Sequence, residues 1–121
     1  MSIAAQREVA RSRHSGVIGL TFLLYRCPEA PQKFVAHCLE FDVIAIEDTK
    51  PRAIDLLKEL VEVQVNSAIA DKALEKIFRP APREYWEMLA HAKRYRPPAW
   101  VVNHRILAAP IRRVEYALAS A

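Results

Sequence analysis

Along the first part of the chain, apolar and polar side chains alternate with the period of a β-strand. Within the segment from Gly16 to Tyr25, one face would carry Ile18, Leu20, Phe22 and Leu24. Further short apolar runs at residues 34–39 and 43–46 follow after brief links. Such alternation is typical of half-buried strands, and links this short permit only a reversal between neighbouring strands or a bulge. The pattern therefore predicts an antiparallel meander of three strands.

The period then changes to that of a helix. Asp48 or Thr49 can accept hydrogen bonds from the free N–H groups of a first turn, and Pro51 lies where its missing donor costs nothing. The positions that then recur at helical spacing are Ala53, Ile54, Leu57, Leu60, Val61, Gln64 and Ala68. Charged residues, Lys58 among them, fall on the other faces. We predict an amphipathic helix of about five turns, packed on the meander.

Prolines divide the C-terminal part of the chain. A short helical segment is predicted at 72–78, and the Pro-Ala-Pro sequence at 80–82 must end it. Residues 84–93 carry a helical pattern, whereas 101–107 and 112–119 are predicted as one or two strands. The predicted fold class is α+β: a three- to four-stranded antiparallel sheet with one long helix packed on it, plus a short C-terminal helix and strand extension.

The formal net charge of +4 is unevenly distributed along the chain. Counting Lys and Arg against Asp and Glu gives +2 for residues 1–15, −3 for 16–78 and +5 for 79–121. We interpret these segments as a basic N-terminal arm, a strand-and-helix core and a C-terminal extension. An acidic body with basic ends can bind a cationic partner through the body and an anionic partner through the ends.

Composition and cysteine content favour a cytoplasmic protein without membrane association. Hydrophobic residues make up 52% of the 121 residues, enough for a packed core, but the apolar run at 17–24 is much shorter than a membrane helix. The basic arm lacks the apolar segment of a signal peptide. Cys27 and Cys38 would lie too far apart on neighbouring strands to form a disulfide, so we expect free thiols in a reducing compartment.

The sequence lacks the usual patterns of an enzyme. Its only two glycines, Gly16 and Gly19, are too few for a phosphate-binding loop or a dinucleotide-binding turn. Its serines lie in the arms, in the predicted long helix or at the chain end, where no nucleophile elbow can form. We therefore expect no catalytic residue and no cofactor.

Two sets of side chains could in principle hold a metal ion. Cys27, His37 and Cys38 lack the paired spacing of a closed metal site, so we expect no metal ligand among them. Glu40 and Asp42, two apart on a segment predicted to be extended, would point the same way and could hold Mg²⁺. A small metal-dependent hydrolase using this pair is kept as a minor alternative.

The C-terminal extension combines basic and aromatic residues. Arg105, Arg112 and Arg113 occur near Tyr95 and Trp100, a mixture that suits phosphate pairing and base stacking. Prolines interrupt the region where a helix-turn-helix would have to lie, so no DNA-binding motif is recognisable. The same residue types are also favoured at subunit interfaces.

The predicted strand and helix region at residues 34–65, FVAHCLEFDVIAIEDTKPRAIDLLKELVEVQV, includes a Cys-Leu-Glu-x-Asp run at 38–42. This region resembles the core of the HicB family of antitoxin-like proteins. The resemblance continues through Asp48-Thr49 at the predicted helix start and through Ala53, Leu57 and Gln64 in the helix. The segment from Pro80 to Trp86 also looks like the tail of some variants.

This resemblance implies a partial RNase-H-like fold, with a helix on a small antiparallel sheet and no nuclease activity. It also implies a partner, a small HicA-type ribonuclease toxin whose active site the protein would mask. Many family members carry a DNA-binding tail, but none is recognisable here. Glu47 also stands where the family commonly has glycine, so we expect the turn into the helix to differ.

These observations together predict a non-catalytic, antitoxin-like binding protein that forms a homo-oligomer. The acidic side chains of Glu40, Asp42, Glu47 and Asp48 would dock the basic toxin. The alternatives are a free-standing nucleic-acid-binding protein that uses its basic termini, with Arg105, Arg112 and Arg113 as contacts, and a HicB-like protein that has no toxin partner.

Overall fold

The structure, a computed structural model, describes residues 18–104 and 111–119. In chain order the elements are β1 (Ile18–Arg26), β2 (Phe34–Cys38), β3 (Val43–Glu47), α1 (Lys50–Ala70), a 3₁₀ turn (Leu74–Ile77), α2 (Arg83–Ala90), β4 (Lys93–Arg94), α3 (Ala99–Val102) and β5 (Ile111–Leu118). The α+β class predicted from the sequence is confirmed.

The five strands form one mixed sheet in the order β3-β2-β1-β5-β4. β1, β2 and β3 are antiparallel neighbours, as predicted for the meander. β5 lies parallel to β1, and β4 pairs antiparallel with β5. The prediction of a purely antiparallel sheet with three or four strands was therefore wrong. The long helical connection between β3 and β5 allows the last strand to return in the direction of β1.

Helix α1 begins where the sequence predicts. The Thr49 hydroxyl accepts a hydrogen bond from the Arg52 backbone N–H at 3.3 Å, and a proline occupies the first turn. The buried stripe continues through Val61 and Val65, which are four residues apart, while Val63 points away from the core. This stripe packs on the face of β1 that carries Ile18, Leu20, Phe22 and Leu24.

The predicted apolar stripe of α1 is wrong at two positions. Leu60 is exposed, whereas Lys58, expected on a solvated face, is almost completely buried. The Lys58 ammonium donates hydrogen bonds to the backbone carbonyls of Val101 and His104, at 2.5 and 2.9 Å. Burial of a lysine is tolerated here because its charged group has these partners.

Helix α2 covers the opposite face of the sheet. Its Trp86 is buried against Leu23 of β1 and Leu39, and the indole N–H donates to the Ala81 carbonyl at 3.1 Å. Among the described residues, the C-terminal extension thus supplies two helices, α2 and α3, and two strands to the same layered unit as the core. β1 is therefore buried on both of its faces.

Two further C-terminal predictions have different outcomes. The strand predicted at 112–119 is confirmed as β5, although the side chain of Arg112 lies outside the description. The strand predicted at 101–107 is wrong for its described part, because Ala99–Val102 form the short helix α3 after a pair of prolines. Within the described ranges, none of the helices has both the length and the apolar character needed to cross a bilayer.

Candidate functional site

The four carboxylates predicted to dock a partner lie in different environments. Residues 39–42 form a turn in which Asp42 has a left-handed backbone (φ 55°), so the extended segment assumed for Glu40 and Asp42 is not present. Glu40 is buried, Glu47 is half-buried, and Asp42 and Asp48 are exposed. Glu40 is therefore not available to a partner, and the prediction that it docks one was wrong.

Glu40 instead connects the turn to the central strand, β1, through two hydrogen bonds. The Thr21 backbone N–H donates to Oε1 at 2.7 Å, and the Thr21 hydroxyl donates to Oε2 at 2.9 Å. Burial raises the pKa of Glu40 to about 7, although the bonds from Thr21 act in the opposite direction. The glutamate of the Cys-Leu-Glu-x-Asp run thus has a structural role.

Asp42 belongs to a chain of hydrogen bonds that leads into the protein. Its carboxylate is 2.7 Å from Nε2 of the buried His37, and His37 Nδ1 is 2.9 Å from the Tyr25 hydroxyl. The ring of Tyr85 from α2 packs against both aromatic partners, with ring centroids 5.7 Å from Tyr25 and 4.6 Å from His37. His37 was predicted to be a satisfied side chain, and both of its ring nitrogens have partners.

This Tyr-His-Asp chain resembles a catalytic triad in connectivity but lacks an activated nucleophile. Burial lowers the pKa of His37, and the bond to Asp42 offsets only part of that effect. Burial also raises the pKa of Tyr25, so its hydroxyl keeps its proton. A neutral imidazole that donates to Asp42 and accepts from Tyr25 satisfies all three groups. The arrangement therefore holds β1, β2 and the following turn together.

The geometry of Glu40 and Asp42 does not support the alternative of a metal-dependent hydrolase that uses this pair. Glu40 and Asp42 have separate partners, Thr21 and His37, rather than a shared space for an ion. Cys27 and Cys38 are both free and buried, as thiols rather than a disulfide. Burial raises the pKa of Cys38 well above its usual value, which disfavours the nucleophilic thiolate.

The first exposed surface of interest is the outer edge of β3. We define the β3 edge as Asp42, Ile44, Ile46, Glu47 and Asp48. Among the described residues, β3 pairs only with β2, which leaves the other side of the strand open. Ile44 and Ile46 are 47% and 41% exposed, on the face opposite to the helix-facing Ala45. Asp48 forms a solvent-exposed ion pair with Lys33 at 3.3 Å.

The second surface is a cavity of about 700 Å³ beside β4 and β5. We call it the basic groove, and the cationic residues that line it are Lys93, Arg94, Arg96 and Arg113. Tyr95, Tyr116 and Glu115 also line it, and the Glu115 carboxylate lies 3.8 Å from the Arg113 guanidinium. The groove is large enough for a nucleotide-sized ligand.

The structure places only part of the predicted arginine cluster. Arg113 is exposed on the basic groove, whereas Arg105 and the side chain of Arg112 lie outside the described residues. Trp100 is exposed on α3 and Tyr95 lines the groove. The other groove cations come from the run Lys-Arg-Tyr-Arg at 93–96, which sequence reasoning did not single out.

Replacing Glu40 with Gln should change the pH dependence of stability. Because the folded pKa of Glu40 is raised from 4.5 to about 7, its neutral form is favoured by folding, and the wild type should lose stability as pH rises between these values. A shift of this size corresponds to about 3 kcal/mol. In urea unfolding, Glu40→Gln should flatten the profile over this window, since Gln preserves both contacts with Thr21.

The exposed Glu87 of α2 provides a matched control, because Glu87→Gln should follow the wild-type profile. If Glu40→Gln and the wild type show the same slope between pH 4.5 and pH 7, Glu40 is not the buried, proton-binding group that the geometry indicates.

Comparisons with known proteins assign neither a family nor a function to this chain. No family model matches the chain, and searches of curated proteins and of solved structures find no significant match.

Proposed function

We propose that this chain is a non-catalytic, cytoplasmic binding protein of the antitoxin type, which masks a small basic ribonuclease through the β3 edge. The observation that carries the proposal is an edge strand that has no outer partner among the described residues, with two exposed isoleucines and acidic residues at both ends. The proposed docking surface excludes the buried Glu40 and includes the exposed Ile44 and Ile46.

An open edge strand offers backbone N–H and C=O groups to an extended segment of another chain. Natural edges are usually protected by charged side chains, prolines or bulges along the strand. On β3 the two outward positions on one face are instead Ile44 and Ile46, which supply apolar contacts at alternate positions. Such an edge favours β-strand addition by a partner.

The charge of the surroundings favours a basic partner. Asp42 and Asp48 are exposed at the two ends of the isoleucine pair, with Glu47 half-buried beside them. Residues 16–78 as a whole carry a net charge of −3. Complementary charge speeds encounter and disfavours wrong partners, while the apolar centre provides affinity.

The resemblance to HicB-like proteins supports the same proposal. A long helix packed on a small sheet is the arrangement that the resemblance implies, and both acidic residues of the Cys-Leu-Glu-x-Asp run have structural contacts. Tyr25, His37 and Asp42 are hydrogen-bonded to one another, which gives these three side chains a role in supporting β1, β2 and the turn. A HicA-type toxin is accordingly the partner class we propose.

Replacing Ile44 with Arg should abolish partner binding. The change removes an apolar contact and places a like charge opposite a basic partner, so we expect a loss of affinity of more than about tenfold. The measurement is co-expression and pull-down with a HicA-type ribonuclease toxin, together with rescue of growth from the toxicity of that protein. Wild type should bind and rescue, whereas Ile44→Arg should do neither.

Val63→Arg is the matched control, since Val63 is a still more exposed apolar residue on the outer face of α1. It should bind and rescue like the wild type. Loss of binding in Val63→Arg but not in Ile44→Arg would indicate that the interface lies on α1 instead of on the β3 edge. A wild-type chain that binds no basic ribonuclease, or that uses β3 only to pair with a second copy of itself in sedimentation experiments, would refute the proposal.

The basic groove supports a second candidate function, the binding of single-stranded nucleic acid. Its four cations come from β4, the following loop and β5, and only Glu115 offsets them among the groove residues. Burial raises the pKa of Tyr95 and of Tyr116, so both phenols remain neutral beside the cations. Cationic side chains interleaved with aromatic rings suit phosphate pairing and base stacking.

A double replacement, Arg94→Ala with Arg113→Ala, should weaken the binding of a labelled single-stranded oligonucleotide. If four phosphates are neutralised, log K should fall with log salt with a slope of about −3, and the double variant should reduce that slope by about 1. Fluorescence anisotropy between 50 and 200 mM salt, roughly the range over which such effects are large, measures both quantities.

The exposed Arg79 and Arg83 lie outside the residues that line the groove, so the double variant Arg79→Ala with Arg83→Ala is a charge-matched control. It should retain the wild-type slope. Equal losses in the two double variants would indicate unspecific attraction to the net charge, and binding that does not respond to salt would remove this candidate.

A further inference from the structure

Three metal-ligating side chains meet where α1 lies beside the end of α3. Asp55 and Glu59 are four residues apart on α1, and His104 follows α3. One ligand atom from each of the three lies within 4.8 Å of the other two. Two carboxylates at this spacing are an ordinary solvated pair on a helix. This cluster differs from such a pair because it also contains the imidazole of His104, 45 residues beyond Glu59 in the chain.

The backbone that carries the imidazole is fixed to the helix that carries the carboxylates. The buried Lys58 ammonium donates to the carbonyls of Val101 and His104, at 2.5 and 2.9 Å. The His104 imidazole is also hydrogen-bonded through Nδ1 to an Asp55 carboxylate oxygen. His104 is therefore positioned by contacts of both its backbone and its side chain with α1.

We propose that Asp55, Glu59 and His104 form a binding site for a divalent transition-metal ion of the Zn²⁺ type. This site goes beyond the proposed partner docking, because it lies on α1 and α3 and shares no residue with the β3 edge or the basic groove.

The donor set determines the class of ion. One imidazole with two carboxylates is a combination that Zn²⁺ accepts, at ligand distances of about 2.0–2.2 Å. A tetrahedral ion places its ligand atoms roughly 3.3 Å apart, so side-chain rotations are sufficient to close the site. Ca²⁺ takes 6–8 oxygen ligands, more than the two carboxylates here can supply, and an imidazole does not suit it.

Solvent access leaves room for a fourth ligand. The side chains of His104 and Asp55 are 39% and 28% exposed, and Glu59 is exposed. Three protein ligands with one position open to water are the arrangement of zinc sites that are not purely structural.

A bound ion would also join two distant segments of the chain. Its ligands connect α1 to the end of α3, whose position otherwise depends on the packing of Val101 and on Lys58. Because only the folded chain brings the three ligands together, the ion should stabilise the fold.

The test is titration of the full chain, freed of any affinity tag and treated with a chelator, with Zn²⁺ in a calorimeter. We expect one ion per chain and, at a free Zn²⁺ concentration about a hundredfold above Kd, a rise in Tm of at least about 4 °C. Glu59→Gln and His104→Ala should each weaken binding by at least about tenfold, the effect that even indirect partners of a metal site have.

Two controls distinguish this site from other histidines and acids. His91→Ala removes an exposed histidine at the end of α2, and Glu62→Gln removes a carboxylate on the next part of α1. Both should bind Zn²⁺ like the wild type. Glu59→Gln changes an exposed side chain and should fold normally, so its loss of affinity cannot be attributed to misfolding.

Absence of Zn²⁺ binding in the wild type at micromolar concentration would overturn the proposal. Equal binding in Glu59→Gln, His104→Ala and the wild type would identify an adventitious ion only. In the expected case, NMR signals of the His104 imidazole should shift on addition of one equivalent of Zn²⁺, while those of His91 should not.

Discussion

Strand β1 packs apolar side chains against a helix on each side of the sheet, and the other parts of the fold are arranged around this double burial. Leu20 and Phe22 face the long helix α1, whereas Leu23 contacts Trp86 of α2. Main-chain pairing with β2 and β5 occupies both edges of the strand as well. A strand enclosed in this way gains the full hydrophobic and hydrogen-bonding stabilisation available to it. Even the buried Glu40 carboxyl is bound to β1, through Thr21.

Because β1 is enclosed, the surfaces that we propose for binding lie at the two margins of the sheet. At one margin, β3 has no outer strand partner among the described residues and carries exposed isoleucines with acidic neighbours, and we propose that this surface binds a basic protein. At the other, β4 and β5 border a groove with four cationic side chains, which favours an anionic one. The uneven charge of the sequence thus corresponds to two surfaces at opposite ends of the strand order. Charge separation of this kind would allow the two proposed sites to discriminate between partners of opposite sign.

Local patterns predicted the meander, the start of α1 at Thr49 and the position of β5, because strand alternation and helix capping depend on neighbouring residues. Features that depend on distant partners were not predictable. Lys58 is buried because backbone carbonyls more than forty residues away accept hydrogen bonds from its ammonium group. Glu40 leaves the surface because a turn at Asp42, not an extended segment, directs it to Thr21. The basic groove had a local signal in the run at 93–96, whereas nothing in the sequence connects His104 with α1.

Native-state hydrogen exchange, followed residue by residue by NMR, tests most directly whether β1 is the enclosed centre and β3 the open edge. The amides of Ile18–Arg26 should exchange most slowly, through global unfolding only. In Val43–Glu47, alternate amides should exchange much faster, because those on the outer side have no strand partner among the described residues. Uniform slow exchange across β3 in the isolated chain, or exchange in β1 as fast as in β3, would contradict this account.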